Sequence, residues 1–210
     1  LKSGKVSPRP GFDGKEFLKF YTHLLKQRDT GHLTVEFVAI TVFIIHTFIR
    51  PTVNELMGLR VRDITVINKG EAAYLEIKVT GKTGYRIAVS MKQATKHFHK
   101  QVKTKNLNND DYLWYPNIAD RAYAFRKFSL QFNKELKLSG MKHTEDGQSR
   151  SAYSLRHFSL TSRLNSSAGK INIFTLAKNA GTSVQMLEQH YIKYLKPSKE
   201  VTANLQHIEF

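Results

Sequence analysis

One change of hydrophobic period, in the middle of the chain, constrains the fold more than any other feature. Between Val61 and Val89 the apolar residues are mostly β-branched or aromatic, which is typical of strands. Two turn sequences, NKG at 68–70 and GKTG at 81–84, divide this run into three segments. On either side of the run, apolar residues recur at helical spacing. The sequence therefore predicts an α+β fold that is mainly α-helical, with one small three-stranded antiparallel sheet.

The helical pattern predicts two groups of helices, one on each side of the sheet. Before it lie residues 12–28 behind an Asp13 cap, residues 34–50 behind a Thr34 cap, and a short helix at 52–59. After it lie helices at 91–103, 118–138, 154–164, 171–178 and 183–194. The most apolar run, FVAITVFIIHTFI at 37–49, is too short to span a bilayer. We therefore predict a buried helix there and no membrane partner.

The charge balance of the chain predicts a polyanionic partner. Its 210 residues include 33 lysines and arginines against 17 aspartates and glutamates, for a net charge of +16. A surplus of this size is typical of proteins that bind nucleic acid. Hydrophobic residues make up 40%, which is enough for a core and excludes a wholly disordered chain. The absence of cysteine excludes disulfides, thiolate zinc sites and cysteine nucleophiles.

The acidic residues offer little support for a metal-dependent reaction on DNA. Close acid pairs occur in predicted loops at 110–111 and 145–146, where solvated side chains are the simpler interpretation. His97 and His99 are two apart on a predicted helix and do not share a face. Phosphoryl transfer without a metal needs cations for the nonbridging oxygens, a proton donor for the leaving oxygen and a nucleophile. Arginine, lysine and tyrosine can fill these three roles.

These residue types occur in four segments, in the order arginine, lysine, arginine, tyrosine. The segments are TFIRPTVNELMGLRVRDI (47–64), VTGKTGYRIAVS (79–90), YSLRHFSLTSRL (153–164) and NAGTSVQMLEQHYIKY (179–194). Any one of them alone is a weak indication in so basic a chain. Together they resemble the motifs of the tyrosine recombinase, or phage integrase, family. The matches follow the family's order and span most of the chain, from about residue 34 to residue 194.

The resemblance implies a role for each matching residue. Arg50 and Arg156 match the family's two catalytic arginines. Lys82, in the turn between two predicted strands, matches the catalytic lysine that acts as general acid. Tyr191 matches the nucleophile by its spacing within the last segment. Tyr194, one helical turn further on, is the rival nucleophile that the spacing disfavours.

Three departures from the family's pattern bear on the site. Tyr153 stands where the family has a histidine, three residues before the second arginine. Thr182 stands where the family has a histidine or tryptophan, nine residues before the nucleophile. The resemblance implies that both fill hydrogen-bonding positions on the phosphate, with a packing role as the open alternative for Tyr153. The stretch between Arg50 and Glu55 is about two residues longer than the family's common spacing.

Several residues near these positions have open interpretations. Glu55 either orients Arg50 from behind or pairs with a cation on the surface. His157, beside Arg156, is expected to be structural and to donate to the backbone. For the two arginines the simpler alternatives are a helix-dipole interaction at Arg50 and a surface charge on an amphipathic helix at Arg156.

The resemblance also divides the chain. Residues 1–12, rich in Lys, Ser, Gly and Pro, are expected to be a linker, and residues 13–194 the catalytic domain. Residues 195–210 form a C-terminal tail, in which Leu205 to Phe210 is the expected docking segment for a neighbouring subunit, in cis or in trans. The chain begins at Leu1 rather than at methionine. We expect the family's N-terminal DNA-binding domain to lie outside this sequence.

The resemblance implies site-specific DNA recombination, for integration or excision of a mobile element or prophage. Strands are cleaved and rejoined through a 3′-phosphotyrosine intermediate by a homotetramer on double-stranded DNA, without a metal or nucleotide cofactor. Accessory DNA-bending or directionality factors are expected partners, and the bacterial cytoplasm, at the nucleoid, is the expected location. Two alternatives stay open: DNA relaxation of the type IB topoisomerase kind, and a basic DNA-binding module without a nucleophile.

Overall fold

A computed structural model describes residues 10–69, 72–81, 84–167 and 170–190, and in them helices pack around one small sheet. The helices are α1 (Gly14–Asp29), α2 (Val35–Thr47), α3 (Gln93–Lys105), α4 (Arg121–Leu138), α5 (Tyr153–Ser166), α6 (Ile173–Ala180) and α7 (Val184–His190). The strands are β1 (Ile64–Lys69), β2 (Ala72–Gly81) and β3 (Gly84–Val89). This architecture confirms the predicted mainly helical α+β fold with a three-stranded antiparallel sheet.

Side-chain caps begin the first two helices at the residues that the sequence predicts. The Asp13 carboxylate accepts the Glu16 N–H at 2.8 Å, and the Glu16 carboxylate accepts the Asp13 N–H at 2.9 Å, which completes a capping box. Thr34 Oγ1 accepts the Phe37 N–H at 3.1 Å. Each cap satisfies a backbone donor of the first helical turn, which has no partner within the helix.

α2 ends at Thr47, earlier than the predicted end at Arg50. The apolar run continues to Ile49, but Phe48 adopts a left-handed backbone conformation, with φ 57°, that ends the helix. The Phe48 carbonyl accepts a hydrogen bond from Arg156 on α5. A tertiary contact therefore accompanies the end of the helix and leaves Arg50 on the segment that follows it. Among the described helices, none is long and apolar enough to cross a bilayer.

The chain between Arg50 and Glu55 makes an irregular turn in place of the α-helix predicted at 52–59. Val53–Met57 form a π-helical turn, and Thr52 Oγ1 accepts the Glu55 N–H at 3.2 Å. A π-helical turn accommodates more residues than an α-helical turn. The turn thus absorbs the long spacing between Arg50 and Glu55 and returns the Glu55 side chain to Arg50.

The sheet has the order β1-β2-β3, and both pairs are antiparallel. Gly81 pairs with Gly84 at the turn between β2 and β3. Val61, which the sequence places with the strand residues, begins a short 3₁₀ turn (Val61–Asp63) instead. The reason is a competing partner, since the Val61 N–H donates to the Asp111 carbonyl of a distant loop at 3.1 Å.

The large apolar residues of β3 lie on its outer face, not on the face that packs against the core. Its three large apolar residues are exposed, namely Tyr85, Ile87 and Val89. Arg86 and Ala88 lie on the inner face, and Arg86 pairs across from the buried Val79 of β2. A charged side chain therefore enters the domain from the middle of a strand.

Two apolar clusters meet where α2 ends. The larger joins the first four helices and the sheet around Phe43, and the smaller joins α5, α6 and α7. Phe48 is buried in the smaller cluster, whereas Ile49 is buried in the larger. Burial of a large apolar side chain stabilises a fold by about 2 kcal/mol. Two such anchors in succession hold the backbone immediately before Arg50.

Because His46 is half-buried near the end of α2, we expect the domain to lose stability in mild acid. Its Nδ1 is buried and has no hydrogen-bond partner among the described residues. Burial, with a smaller effect of the neighbouring His97, lowers the pKa of His46 from 6.5 to about 4. Below about pH 6.5, His46 binds a proton in the unfolded chain but stays neutral in the folded protein. The folded state is therefore destabilised as the pH falls from the unfolded pKa to the folded one.

We expect His46 to account for roughly 1–2 kcal/mol of the stability lost between about pH 7.5 and about pH 5. The His46→Leu variant should lose correspondingly less over the same interval, measured by urea unfolding at both pH values. His99→Gln, on the exposed side of α3, is the control and should keep the wild-type pH dependence. If His46→Leu lost as much stability as the wild type, the imidazole would not be held neutral by the fold.

Candidate active site

Two arginine side chains meet at the C-terminal end of α6. Arg156 Nη2 donates to the Ala180 carbonyl at 2.5 Å, and Arg50 Nη2 donates to the next carbonyl, that of Gly181. Gly181 ends α6 in the left-handed conformation, with φ 64°, which glycine adopts without strain. The end of a helix carries partial negative charge and carbonyls without helical partners, so it attracts guanidinium groups. The two arginines assigned to phosphate binding by resemblance are therefore neighbours in space.

Arg156 is buried inside the domain. It lies in the first half of α5, its exposed fraction is 2%, and its Nη1 donates to the Phe48 carbonyl at the end of α2. A buried guanidinium needs hydrogen bonds to offset its lost hydration. Arg156 thus joins the end of α2 to the end of α6, and the alternative of a surface charge is wrong.

Glu55 orients Arg50 through two hydrogen bonds and is itself only 1% exposed. Arg50 Nη1 donates to Glu55 Oε1 at 2.5 Å, and the Arg50 backbone N–H donates to Glu55 Oε2 at 3.0 Å. Burial alone would raise the pKa of Glu55, but hydrogen bonds from Arg86 and Arg50 lower it. Burial alone would lower the pKa of Arg50, but Glu55 and the Tyr153 phenol raise it. Both groups are therefore charged, and the alternative of a surface pair is wrong.

Arg86 of β3 is a third guanidinium in this site, and the sequence analysis assigns it no role. Its Nη2 donates to Glu55 Oε2 at 2.7 Å, and its Nε donates to the Asn179 carbonyl at 3.2 Å. The Asn179 side chain bonds both backbone groups of Val89, accepting from its N–H at 2.6 Å and donating to its carbonyl at 3.0 Å. The one sign of its role in the sequence is that an arginine stands between apolar residues inside a predicted strand.

Glu55 also lies directly against the strand that precedes Lys82. A Cβ added to Gly81 would fall 2.1 Å from Glu55 Oε1. Heavy atoms do not approach so closely without bonding, so the strand needs glycine at this position. The carboxylate that orients Arg50 therefore also packs against the last residue of β2.

We expect Gly81→Ala to destabilise the domain by about 1–3 kcal/mol. The new methyl group must either push Glu55 away from its arginines or shift β2, and calorimetry should show a melting temperature several degrees lower. Gly14→Ala is the matched control, because a Cβ there meets no atom within 4 Å and α1 gains helix propensity. A Gly81→Ala protein that melts at the wild-type temperature would contradict the close approach of strand and carboxylate.

Tyr153, Thr182 and His157 border the two arginines. Tyr153 is the first residue of α5, and its phenol interacts with the Arg50 guanidinium. Thr182 is half-buried in the turn after α6. His157 is buried, with its ring centroid 5.4 Å from that of Tyr153. The structure thus brings Tyr153 and Thr182 to the arginines, while their action on a phosphate and the structural role of His157 stay predictions.

Two predicted site residues, Lys82 and Tyr191, lie outside the described residues. The rival nucleophile Tyr194 and the expected docking segment at 205–210 lie outside them as well. β2 and β3 are described up to the residues that flank the turn of Lys82, and α7 is described up to the residue before Tyr191. The roles of both residues stay predictions.

The described contacts gather three guanidinium groups and one carboxylate at the end of α6. Arg50 and Arg86 both form ion pairs with Glu55, and Arg156 lies on the adjacent carbonyl of the helix end. This cluster carries more positive than negative charge, and guanidinium groups match the oxygens of a phosphate in bidentate geometry. Among the described residues, no three His, Asp or Glu side chains are placed to hold a metal ion. The arrangement is suited to binding a phosphoryl group through cationic side chains.

The chain has the fold of a tyrosine recombinase catalytic domain. It is similar to XerH site-specific recombinase bound to a palindromic difH substrate, with TM-score 0.64 and 18% identity over 98% of this chain and 55% of that one. It is similar to a lambda integrase dimer bound to a COC′ core site, with TM-score 0.62 and 18% identity over 95% of this chain and 53% of that one. XerA recombinase gives TM-score 0.58 and 16% identity over 95% of this chain and 65% of that one.

These comparisons rest on structure. The sequence matches no family model and no curated protein. The chain spans between about half and two thirds of the length of the solved structures that it resembles.

Proposed function

We propose that this chain is the catalytic domain of a site-specific DNA recombinase that cleaves and rejoins strands through a 3′-phosphotyrosine intermediate. The observation that carries the proposal is the meeting of Arg50 and Arg156 on consecutive carbonyls at the end of α6. These residues lie more than a hundred positions apart in the sequence, and the motifs selected both of them independently. The fold shared with XerH, XerA and lambda integrase supports the same activity.

The proposed reaction is an exchange of esters at one phosphorus. The Tyr191 oxygen, losing its proton to solvent, attacks the scissile phosphorus, and the bond to the 5′-oxygen breaks. Lys82 gives a proton to that leaving oxygen, so the products are a 3′-phosphotyrosyl bond and a free 5′-hydroxyl. Attack by the 5′-hydroxyl of a partner strand reverses these steps and completes the exchange.

The arginines supply the electrostatic part of the proposed catalysis. Negative charge builds up on the nonbridging oxygens in the pentavalent transition state, and preorganised donors stabilise it without reorganising. Arg50 and Arg156 are preorganised because the ends of α2 and α6, together with Glu55, hold them in place. Tyr153 and Thr182 lie next to them and add hydrogen bonds to the phosphate in this proposal.

The proposal extends to the assembly in which exchange takes place. Recombination between two DNA sites needs a protein copy at each cleaved strand, so we infer a homotetramer on double-stranded DNA. The neighbours named above include recombinases bound to their DNA substrates. Integration or excision of a mobile element or prophage, with accessory DNA-bending or directionality factors, in the bacterial cytoplasm at the nucleoid, is the proposed setting.

A covalent trap tests the activity. A duplex is selected for binding from a random pool and labelled. Separate substrates then carry a nick at successive positions, so that the short fragment with the free 5′-hydroxyl diffuses away after cleavage and the covalent adduct accumulates. We expect a protease-sensitive band of reduced mobility on a denaturing gel with one of these substrates. Supercoiled DNA with two copies of the selected site then separates the alternatives. Recombined products support the proposal, plain relaxation supports a topoisomerase, and binding without any adduct supports a DNA-binding module without a nucleophile.

Salt dependence tests the binding mode. Because a chain of charge +16 releases counterions from DNA, we expect log affinity to fall linearly with log salt concentration. The slope should be about −0.9 for each phosphate that the protein neutralises. Fluorescence anisotropy with a labelled duplex over a series of salt concentrations measures it. An affinity that does not change between low and physiological salt would contradict binding through the phosphate backbone.

A further inference from the structure

We propose that Arg86 is a positioning residue of this site: it binds Glu55 Oε2 while the Arg50 guanidinium binds Oε1, and so it sets the direction of the Arg50 guanidinium. The inference rests on the proposed function for its catalytic consequence. Its structural part concerns only the described residues and is tested without DNA.

The first step in the argument is the geometry of Glu55. Its Oε1 accepts from the Arg50 guanidinium at 2.5 Å, and its Oε2 accepts from the Arg86 guanidinium at 2.7 Å and from the Arg50 N–H at 3.0 Å. The last torsion of a glutamate is broad, and without Arg86 the second oxygen would keep only the longer bond from the Arg50 N–H. With the Arg86 guanidinium bound to the same oxygen at 2.7 Å, the plane of the carboxylate is held by a second, shorter bond. The direction in which Oε1 meets Arg50 is then determined as well.

The second step is that Arg50 and Arg86 both connect Glu55 to the C-terminal end of α6. Both guanidinium groups bind Glu55 at one end. At the other end Arg50 donates to the Gly181 carbonyl and Arg86 donates to the Asn179 carbonyl, two residues earlier on the same helix end. The two side chains are therefore parallel bridges between the segment after α2 and the end of α6. Removal of one bridge leaves the other to maintain the distance alone.

The third step is that Arg86 is itself firmly held. It lies on the inner face of β3, and the Asn179 side chain bonds both backbone groups of Val89 on the same strand. A Cβ added to Gly181 would fall 2.8 Å from Arg86 Cζ, so the turn after α6 is built closely against the guanidinium. β3 and the C-terminal end of α6 are thereby joined through the side chains of Arg86 and Asn179.

The fourth step is that stability alone does not account for an arginine here. Arg86 Nη1 is buried and has no hydrogen-bond partner among the described residues. A buried donor without a partner destabilises the folded state, and apolar side chains often replace buried ion pairs with no loss of stability. The contacts of Arg86 instead serve the placement of Glu55 and, through it, of Arg50.

The experiment compares Arg86→Met, which keeps an unbranched apolar stem and removes the donors, with Arg86→Lys, which keeps the charge. The matched control is Arg62→Met, which breaks an exposed arginine–carboxylate pair with Asp110. The first measurement is the ¹⁵N heteronuclear NOE of Arg50 Nε in the free protein. We expect it to fall clearly in Arg86→Met, to fall less in Arg86→Lys, and to stay at the wild-type value in Arg62→Met.

The second measurement is the single-turnover rate of adduct formation on nicked DNA, with the DNA dissociation constant determined in parallel. We expect Arg86→Met to cleave roughly 10- to 100-fold more slowly, because a displaced catalytic group loses rate steeply with distance. The dissociation constant should stay within about twofold, since the effect lies in the transition state. In an Arg50→Lys background the Arg86→Met change should have a much smaller effect on rate, because its target is already altered.

The outcomes separate this inference from the proposed function. An unchanged Arg50 NOE in both Arg86 variants overturns the positioning role, whatever the activity, and so does a rate loss that is fully additive with Arg50→Lys. If Arg86→Met does not fold, Arg86→Lys decides by the same two readouts. A reduced NOE in a protein whose wild type forms no adduct supports the positioning role and contradicts the proposed function alone.

Discussion

Tyr191→Phe should abolish covalent attachment to DNA while folding and DNA binding persist. The change removes one oxygen and leaves the aromatic ring, so only the nucleophile is lost. A phenol with a reference pKa of about 10 is a weak nucleophile at neutral pH, and it depends on nearby cations to stabilise the charge that develops. The measurement is the denaturing gel with nicked, labelled DNA. The band present with wild-type protein should be absent with Tyr191→Phe at every protein concentration.

Tyr194→Phe is the matched control for this prediction. It makes the same chemical change three residues further along the sequence, at the rival nucleophile, and it should form the adduct at the wild-type rate. Anisotropy binding and circular dichroism on both variants establish that neither has lost DNA affinity or fold. An adduct that persists in Tyr191→Phe and disappears in Tyr194→Phe would reverse the assignment. An adduct that persists in both would place the nucleophile elsewhere.

Arg50→Ala should slow strand cleavage by about 10³-fold or more, because it removes a charged donor from the transition state. It also removes one of the two guanidinium groups that compensate Glu55, whose carboxylate is 1% exposed. The variant should therefore show some loss of thermal stability together with the loss of rate. Single-turnover kinetics at saturating DNA measure the rate, and calorimetry measures the stability.

Arg50→Lys separates the two effects. It retains a positive charge near Glu55, so it should recover most of the lost stability. A point charge does not reproduce the fork of a guanidinium, so the cleavage rate should stay well below that of the wild type. If Arg50→Lys cleaves as fast as the wild type, charge alone suffices at this position. If Arg50→Ala itself cleaves at the wild-type rate, Arg50 is not a phosphate ligand.

The elements of the fold were predictable where the signals are local. The Asp13 and Thr34 caps act on donors within three residues, so a short window of sequence contains the whole interaction. The turn at 81–84 likewise joins strands that pair directly through Gly81 and Gly84. The caps of the first two helices, the number of strands and their antiparallel order follow from such windows, and the structure confirms them. The helices predicted from 91 and from 118 begin slightly later, at Gln93 and Arg121.

Element ends were less predictable because they depend on distant partners. α2 stops at Thr47, although its apolar pattern continues, and the carbonyl of Phe48 meets Arg156 from α5. Val61 leaves the strand pattern because its N–H bonds a loop carbonyl at Asp111. In each case the competing hydrogen bond joins residues that no local window contains.

The residue types of the candidate site and their order along the chain could be read from the sequence, because guanidinium chemistry at Arg50 and Arg156 is a property of the side chains and of the motifs around them. The burial of Glu55 between two arginines, and the identity of the second as Arg86, become visible only in the folded protein. The large apolar residues of β3 lie on its outer face, and the strand turns Arg86 inward. A buried guanidinium is tolerated only where acceptors offset its lost hydration. Here the acceptors are the Glu55 carboxylate and the Asn179 carbonyl, which are distant in the sequence and come together only when the chain folds.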